Sequence, residues 1–199
     1  MTLARLAHAL ETGALTLSEH ARLVLLEPNP EADLGVLDGH DITVQQNFKP
    51  AFDLFQAMGI DVTTEAAGPA DAVHVTLPRS RDLARGLVAQ AEAIAAGGLV
   101  IVDGAKTDGI DPILKSVRDK VAIDGQVSKA HGKIFWFDAG TAFQDWALPD
   151  PAPVASGWIT QPGVFSADGP DAGSEALVTA LPRTLKGRGA DLGGGWGFL

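Results

Sequence analysis

The stretch VAIDGQVSKAHGKIFWF, at positions 121–137, decides the fold because it holds two strand-like runs with no helical pattern between them. The runs are Val121–Ile123 and Ile134–Phe137, and DGQVSKAHGK joins them. Consecutive strands without a crossover helix pair in the antiparallel sense. The sequence therefore predicts that an antiparallel pair closes the first domain.

Upstream of this pair, strand-like runs alternate with helical patterns. Ser80 is a good N-cap for a helix over 81–96, and Asp111 followed by Pro112 predicts another helix start. Such alternation is typical of an α/β domain with a mostly parallel sheet and helices on both faces. The five upstream runs are Leu23–Leu26, Ile42–Val44, Val62–Thr64, Ala72–Leu77 and Leu99–Val102. With the closing pair, the seven strands resemble the Rossmann-like sheet of class I S-adenosylmethionine (SAM) methyltransferases.

The composition divides the chain into three parts. Residues 138–157 are rich in Pro, Ala and Gly and keep no sustained period, which is typical of a linker. After them, a short strand, a helix at Ser174–Leu181 and a glycine-rich end indicate the start of a second domain. We therefore predict a first domain over 1–137, a linker over 138–157 and the beginning of a second domain over 158–199.

Composition and charge exclude several classes of protein. With 46% hydrophobic and 20% charged residues, the chain has enough apolar material for a core. No apolar run is long enough for a membrane helix, and the N-terminus is interrupted by charge, so we expect no membrane contact and a soluble, cytoplasmic monomer. A net charge of −10 argues against broad attraction to nucleic acid but leaves room for a local basic patch.

The end of the sequence, GADLGGGWGFL at 189–199, carries the most specific motif. Asp191, Gly193, Gly195 and Gly197 fit the pattern D-x-G-x-G-x-G, whereas Phe198 breaks the dinucleotide pattern G-x-G-x-x-G. Glycine allows positive φ angles and a close approach of the backbone to a ligand. If the match were isolated, the alternative interpretation would be a flexible glycine-rich tail without a ligand.

The motif is preceded by PGVFSADGPDAGSEALVTALP, at 162–182. Together the two stretches resemble the small-domain ribosomal RNA guanine-N2 methyltransferases (the RsmC-like group), in which such a segment precedes the SAM turn. The resemblance is strong over 158–199 and looser over the first domain, since that family carries two tandem methyltransferase-type domains. It implies SAM as the cofactor and ribosomal RNA or the small ribosomal subunit as the partner.

The resemblance also implies roles for individual residues. The motif residues would form the SAM turn, and the preceding segment would lie over the cofactor and the substrate entrance. The family's ribose-binding acid and its Asn-Pro-Pro-aromatic motif have no counterpart in the 199 residues, so we assign no catalytic residue and expect the isolated, truncated chain to be inactive. The implied cofactor-binding residues are Asp191, Gly193, Gly195, Gly197, Phe165, Ser166, Asp171, Gly173 and Ser174.

The first domain, by the same resemblance, is a degenerate copy. Its first strand is followed by EPNPEADL, at 27–34, which contains no glycine, and a proline-fixed backbone cannot close around SAM. Leu77–Ser80 reads LPRS where a catalytic copy would have Asn-Pro-Pro. The alternative is a non-catalytic pseudo-methyltransferase module that binds RNA or a protein partner. A doubly wound oxidoreductase would need a phosphate-binding glycine turn that this stretch does not supply.

Basic residues follow strands four, five and six, whose carboxyl ends lie at one edge of a parallel sheet. We predict that this edge contacts RNA, and the alternative is that these are solvated charges paired with neighbouring aspartates. The five histidines show no metal-ligand spacing, and without cysteine the sequence predicts no metal site. The RNA-contact candidates are Arg79, Arg81, Lys106, Lys129 and Lys133.

Overall fold

The computed structural model describes residues 3–150, 152–153, 157–182, 184 and 186–198. Its contacts divide the chain into two compact units, residues 1–147 and residues 148–199. Within the described residues, no helix combines the length and the hydropathy that crossing a membrane requires.

The first unit contains a seven-stranded sheet with helices on both faces. The sheet order is β3-β2-β1-β4-β5-β7-β6; β1 to β5 are parallel, and β7 is antiparallel to both β5 and β6. The predicted α/β class and the antiparallel closing pair are confirmed. The strands are β1 Arg22–Leu26, β2 Asp41–Gln45, β3 Asp61–Thr63, β4 Ala72–Thr76, β5 Leu99–Ala105, β6 Gly125–Lys129 and β7 Gly132–Asp138, and the helices are α1 Ala4–Glu11, α2 Lys49–Ala57, α3 Arg81–Ala95 and α4 Ile110–Arg118.

The core of this unit lies in two apolar layers, one on each face of the sheet. Successive residues of a strand point to opposite faces, so Val24 and Leu26 pack on the layer with α3 and α4. Leu23 and Leu25 pack on the layer with α1 and α2. Both faces of the central strands are therefore buried, which explains why their sequences are continuously apolar.

The sixth strand lies later in the sequence than the apolar pattern predicts. The prediction of a strand at Val121–Ile123 is wrong: these residues form a loop whose apolar side chains pack partly buried on the core, and β6 begins at Gly125. As an edge strand, β6 exposes Gln126 and Ser128 and is held by backbone pairing with β7, so it needs no apolar run. A Cβ at Gly125 would lie 2.2 Å from the Trp136 ring, so this start of the strand requires glycine.

The beginning of the predicted linker packs on the first unit. Phe143 and Trp146 are buried against the layer that contains α3. On α3, the buried carboxylate of Glu92 accepts hydrogen bonds from the backbone N–H groups of Gly140 at 3.3 Å, Ala142 at 2.9 Å and Phe143 at 2.9 Å. Residues 138–147 thus belong structurally to the first unit, because two aromatic side chains anchor a segment whose composition is otherwise that of a linker.

The second unit has little regular structure among its described residues. Strand β8, Ala152–Pro153, pairs antiparallel with β9, Ile159–Thr160, and helix α5 covers Ala172–Ala180. None of the described side chains from residue 148 onward is buried, and Leu192 is 94% exposed. Little apolar burial therefore stabilises this unit by itself.

We predict that replacing the buried carboxylate, in Glu92→Gln, lowers the free energy of unfolding by about 1–3 kcal/mol, because an amide oxygen cannot replace both carboxylate acceptors. Urea denaturation of the 199-residue chain measures the change. Glu11→Gln, on the exposed end of α1, is the control and should alter the value by less than about 0.5 kcal/mol. Equal effects of the two substitutions would show that the segment is not held by Glu92.

We also predict that backbone amides of 191–198 exchange with solvent far faster than those of Leu99–Val102. The reason is that the described part of the second unit lacks buried side chains, while β5 is covered on both faces. Hydrogen–deuterium exchange read by mass spectrometry measures both segments in one sample. Equal protection of the two segments would contradict the prediction.

Candidate functional site

The glycine motif forms a turn that only glycine accommodates easily. Gly193, Gly195 and Gly197 have φ angles of +84°, +57° and +83°, in the left-handed region that L side chains rarely adopt. A Cβ at Gly194 would lie 2.5 Å from the Asp191 Oδ2 atom. The turn is closed by a hydrogen bond of 2.8 Å from the Gly197 N–H to the Gly194 carbonyl.

The indole of Trp196 ties this turn to the segment that precedes α5. Its Nε1 donates a hydrogen bond of 3.1 Å to the backbone carbonyl of Phe165. The same ring contacts Trp158 and Phe198 with centroid distances of 6.0 Å and 5.7 Å. Aromatic packing thus holds together two stretches that lie about thirty residues apart in the sequence.

The segment before α5 is shaped by two local side-chain interactions. Ser166 has a φ angle of +55°, and its hydroxyl donates to the Gly169 carbonyl at 2.7 Å. Asp171 is the N-cap of α5: its carboxylate accepts from the backbone N–H of Gly173 at 2.9 Å and from both the N–H and the hydroxyl of Ser174. The hydrogen bond from the Ser174 hydroxyl holds the pKa of Asp171 below its ordinary value.

The glycine turn and the segment before α5 meet around one small cavity of about 70 Å³. A cavity of this volume holds only part of a drug-sized ligand, since pockets for whole ligands span roughly 300–1,000 Å³. Among the described residues, no Lys or Arg lines it; three aromatic residues, two serines, three glycines, a proline and an aspartate do. The lining residues are Phe165, Ser166, Pro170, Asp171, Ser174, Gly193, Gly194, Gly195, Trp196 and Phe198.

Most of the predicted cofactor-binding residues are thus brought to one place. Asp191, Gly173 and Gly197 do not line the cavity, although each is within two residues of one that does. The pattern D-x-G-x-G-x-G passes over Trp196 and Phe198 because it counts only the acid and glycines. The signal that could identify them as cavity residues is their aromatic character, because the neighbouring glycines have no side chain to form a cavity wall.

In the first unit, the turn after β1 is closed by hydrogen bonds with side chains of the segment that follows β2. Gln46 is buried and donates a hydrogen bond of 3.1 Å from Nε2 to the Pro28 carbonyl. The Glu27 carboxylate accepts from Asn47 Nδ2 at 2.7 Å. The turn adjoins the point where β2 and β4 flank β1, which is where ligands bind in open α/β sheets.

Basic residues gather at another part of the same sheet edge. Lys106, Lys129 and Lys133 line a surface concavity of about 330 Å³, together with His131 and Asp111. Lys133 Nζ lies 2.6 Å from Asp111 Oδ1, and this hydrogen bond holds the pKa of the Asp111 carboxyl below its ordinary value.

The two predicted arginines do not join the lysines. Arg79 is 86% exposed, with its Nε 3.9 Å from Asp108 Oδ1, and Arg81 is exposed at the start of α3. Neither of them lines the concavity. In the structure, the residues predicted to form a single basic edge are therefore divided into a lysine cluster and two dispersed arginines.

A buried charged cluster lies beneath the lysines. The guanidinium of Arg5, on α1, pairs with the buried carboxylate of Asp103, whose Oδ2 is 3.7 Å from His74 Nε2. Sequence spacing misses this cluster because its members lie on three different elements. Among the described residues, no group of three or more His, Asp or Glu side chains is arranged to hold a metal ion.

Comparisons with known proteins show a family match and similar folds. Residues 156–199 match the family model of the methyltransferase small domain. A structure of the T. thermophilus 16S rRNA N2 methyltransferase (RsmC) with AdoMet and guanosine aligns at 21% identity and a TM-score of 0.64, over 83% of this chain and 49% of that one. This chain therefore spans about half the length of that protein.

Two further structures align with a TM-score of 0.53. One is a protein of Pseudomonas syringae described as a methyltransferase, at 12% identity over 66% of this chain and 96% of that one. The other is the fibrillarin–Nop5p complex, at 13% identity over 65% of this chain and 78% of that one. No curated protein matches the chain. The first unit thus has the Rossmann-like fold of class I methyltransferases, and residues 156–199 match the methyltransferase small domain.

Proposed function

We propose that this chain is the N-terminal portion of a SAM-dependent ribosomal RNA methyltransferase that modifies the N2 amino group of guanine. The observation that carries the proposal is the cavity between the glycine turn and the segment before α5, inside the residues that match the methyltransferase small domain. The T. thermophilus structure, which contains AdoMet and guanosine, supports the choice of cofactor and base.

The cavity walls suit SAM better than a phosphate-bearing cofactor. SAM carries a sulfonium cation, and the faces of aromatic rings such as those of Phe165, Trp196 and Phe198 attract cations. A phosphate is bound most strongly by cationic side chains, and the described lining residues include the carboxylate of Asp171 and no Lys or Arg. The small volume fits the methionine part of SAM, as the resemblance implies. When bound, SAM supplies the activated methyl group.

We propose that the 199-residue chain binds SAM weakly and does not transfer the methyl group. The sequence contains no Asn-Pro-Pro-aromatic motif after the glycine turn, so these residues do not include the family's means of holding the guanine amino group. Transfer between two substrates depends above all on positioning them, and that positioning would require further residues.

The first unit, in this proposal, is a non-catalytic copy of the fold. Hydrogen bonds from Gln46 and Asn47 fill the turn after β1, where a working copy would leave room for SAM. The same observation favours the second candidate function, a pseudo-methyltransferase module that binds RNA or a protein partner. The two candidates differ in whether the second unit binds SAM.

We predict that Gly193→Val raises the Kd for SAM at least about tenfold, which corresponds to roughly 1.4 kcal/mol. A β-branched residue cannot adopt the φ of +84° without strain, and its side chain would alter the cavity wall. Isothermal titration calorimetry on the whole chain measures the constant.

Gly187→Val is the matched control for this experiment. Gly187 also has a positive φ, +92°, and a Cβ added there would meet no atom within 4 Å, but Gly187 does not line the cavity. It should leave the Kd within about twofold of the unchanged chain. Equal losses in the two variants, or binding of NAD in place of SAM, would contradict the assignment of the cavity.

A further inference from the structure

We propose that the surface formed by Lys106, Lys129, His131 and Lys133, here called the lysine concavity, binds the phosphate backbone of RNA. This inference rests on the proposed function, in which RNA is the substrate. It assigns the contact to one concavity of about 330 Å³ at the end of β5 and the turn between β6 and β7.

The charges of the lysine concavity are only partly neutralised. Lys133 is paired with Asp111, whereas Lys106 and Lys129 form no ion pair within the described parts of the chain. The whole chain carries a net charge of −10, so a cluster of lysines with a single acidic partner is a local exception. Anionic ligands would be attracted to this place and repelled by most of the remaining surface.

The turn that carries His131 has an unusual backbone. Ala130 and His131 have φ angles of +49° and +53°, and two-residue hairpin turns of this kind strongly prefer sequences such as Asn-Gly. Residues with a Cβ adopt this conformation at an energetic cost, and such strain is concentrated at functional sites. The turn thus holds an imidazole at its tip where glycine would be easier to accommodate.

The same turn is fixed from two sides. The Lys106 N–H donates to the His131 carbonyl at 3.0 Å, and Arg5 Nη1 donates to the Ala130 carbonyl at 3.4 Å. A Cβ at Gly132 would lie 2.4 Å from the Gly104 carbonyl oxygen, so the strands pack tightly there. A ligand would find the lysine concavity already ordered, which reduces the entropic cost of binding.

The lining favours the RNA backbone over the bases. Lysine ammonium groups and an imidazole are donors for phosphate oxygens. Among the described lining residues, only His131 has a ring on which a base could stack. Recognition of this kind depends on charge and geometry and carries little sequence preference. Its signature is a strong dependence of affinity on salt.

The test uses fluorescence anisotropy of a labelled single-stranded RNA of mixed sequence, titrated with the 199-residue chain at several salt concentrations. We expect the double variant Lys106→Gln/Lys129→Gln to weaken binding about tenfold. The slope of log K against log salt should fall by about 0.7 for each lost phosphate contact. The control Lys49→Gln/Lys115→Gln makes the same change of net charge at exposed lysines outside the concavity and should weaken binding less than about twofold.

Three outcomes would overturn the inference: no binding of the RNA by the unchanged chain, equal losses in the two double variants, or displacement of the RNA by polyglutamate at equal charge concentration. The last outcome would indicate an acidic protein segment as the ligand. A SAM titration of the same variants separates the two proposals. If the lysine variant loses RNA binding and keeps its SAM affinity, the assignment of RNA binding to the lysine concavity is supported. If the chain binds RNA through these lysines but does not bind SAM, the proposed methyltransferase function is contradicted and the RNA-binding inference stands.

Discussion

The antiparallel pairing of β5 with β7 is the constraint on which the rest of the first unit depends. It runs from Leu99 opposite Asp138 to Ala105 opposite Gly132, so every residue of β5 is paired. At one end, the Ala139 N–H continues the ladder to the Gly98 carbonyl at 2.8 Å and leads the chain toward Glu92 on α3. At the other end, the pairing brings the β6–β7 turn beside the end of β5. The packing of residues 139–147 and the position of the lysine concavity are thus consequences of a single register.

The carboxyl edge of the sheet differs between its two parts, one beside β1 and one beside β5. Beside β1, the edge is closed by Gln46 and Asn47, whose side chains occupy the turn that a cofactor would approach. Beside β5, the edge is open and lined by lysines. The same edge of the sheet thus carries side-chain hydrogen bonds at its switch point and a charged surface beside β5. In the proposed division of work, cofactor binding lies in the second unit, and the first unit retains the contact with the polyanionic substrate.

The sequence predicts the strands that are buried on both faces, the N-cap at Ser80 and the glycine turn, because each depends on neighbouring residues alone. It misplaces β6, since an edge strand is held by backbone pairing with β7 and its exposed side chains show no apolar run. It also misses that Phe143 belongs to the core, because its burial depends on a glutamate about fifty residues earlier. The motif also passes over the cavity residue Trp196, because it counts only the acid and the glycines, and the partner of the indole, the Phe165 carbonyl, lies in another segment. For Phe143 and Trp196 the sequence misses an interaction between segments distant in the chain, whereas for β6 it misses backbone pairing with the very next strand.

Arg5 shows how such a distant interaction joins the core to the surface. Burying the carboxylate of Asp103 would be costly without a partner, and the guanidinium carried by α1 supplies one beneath the sheet edge. The same guanidinium donates to the Ala130 carbonyl in the strained turn. One side chain therefore compensates a buried charge and supports the turn that presents His131. Because both tasks require α1 to be docked, this helix couples folding of the first unit to the geometry of its lysine concavity.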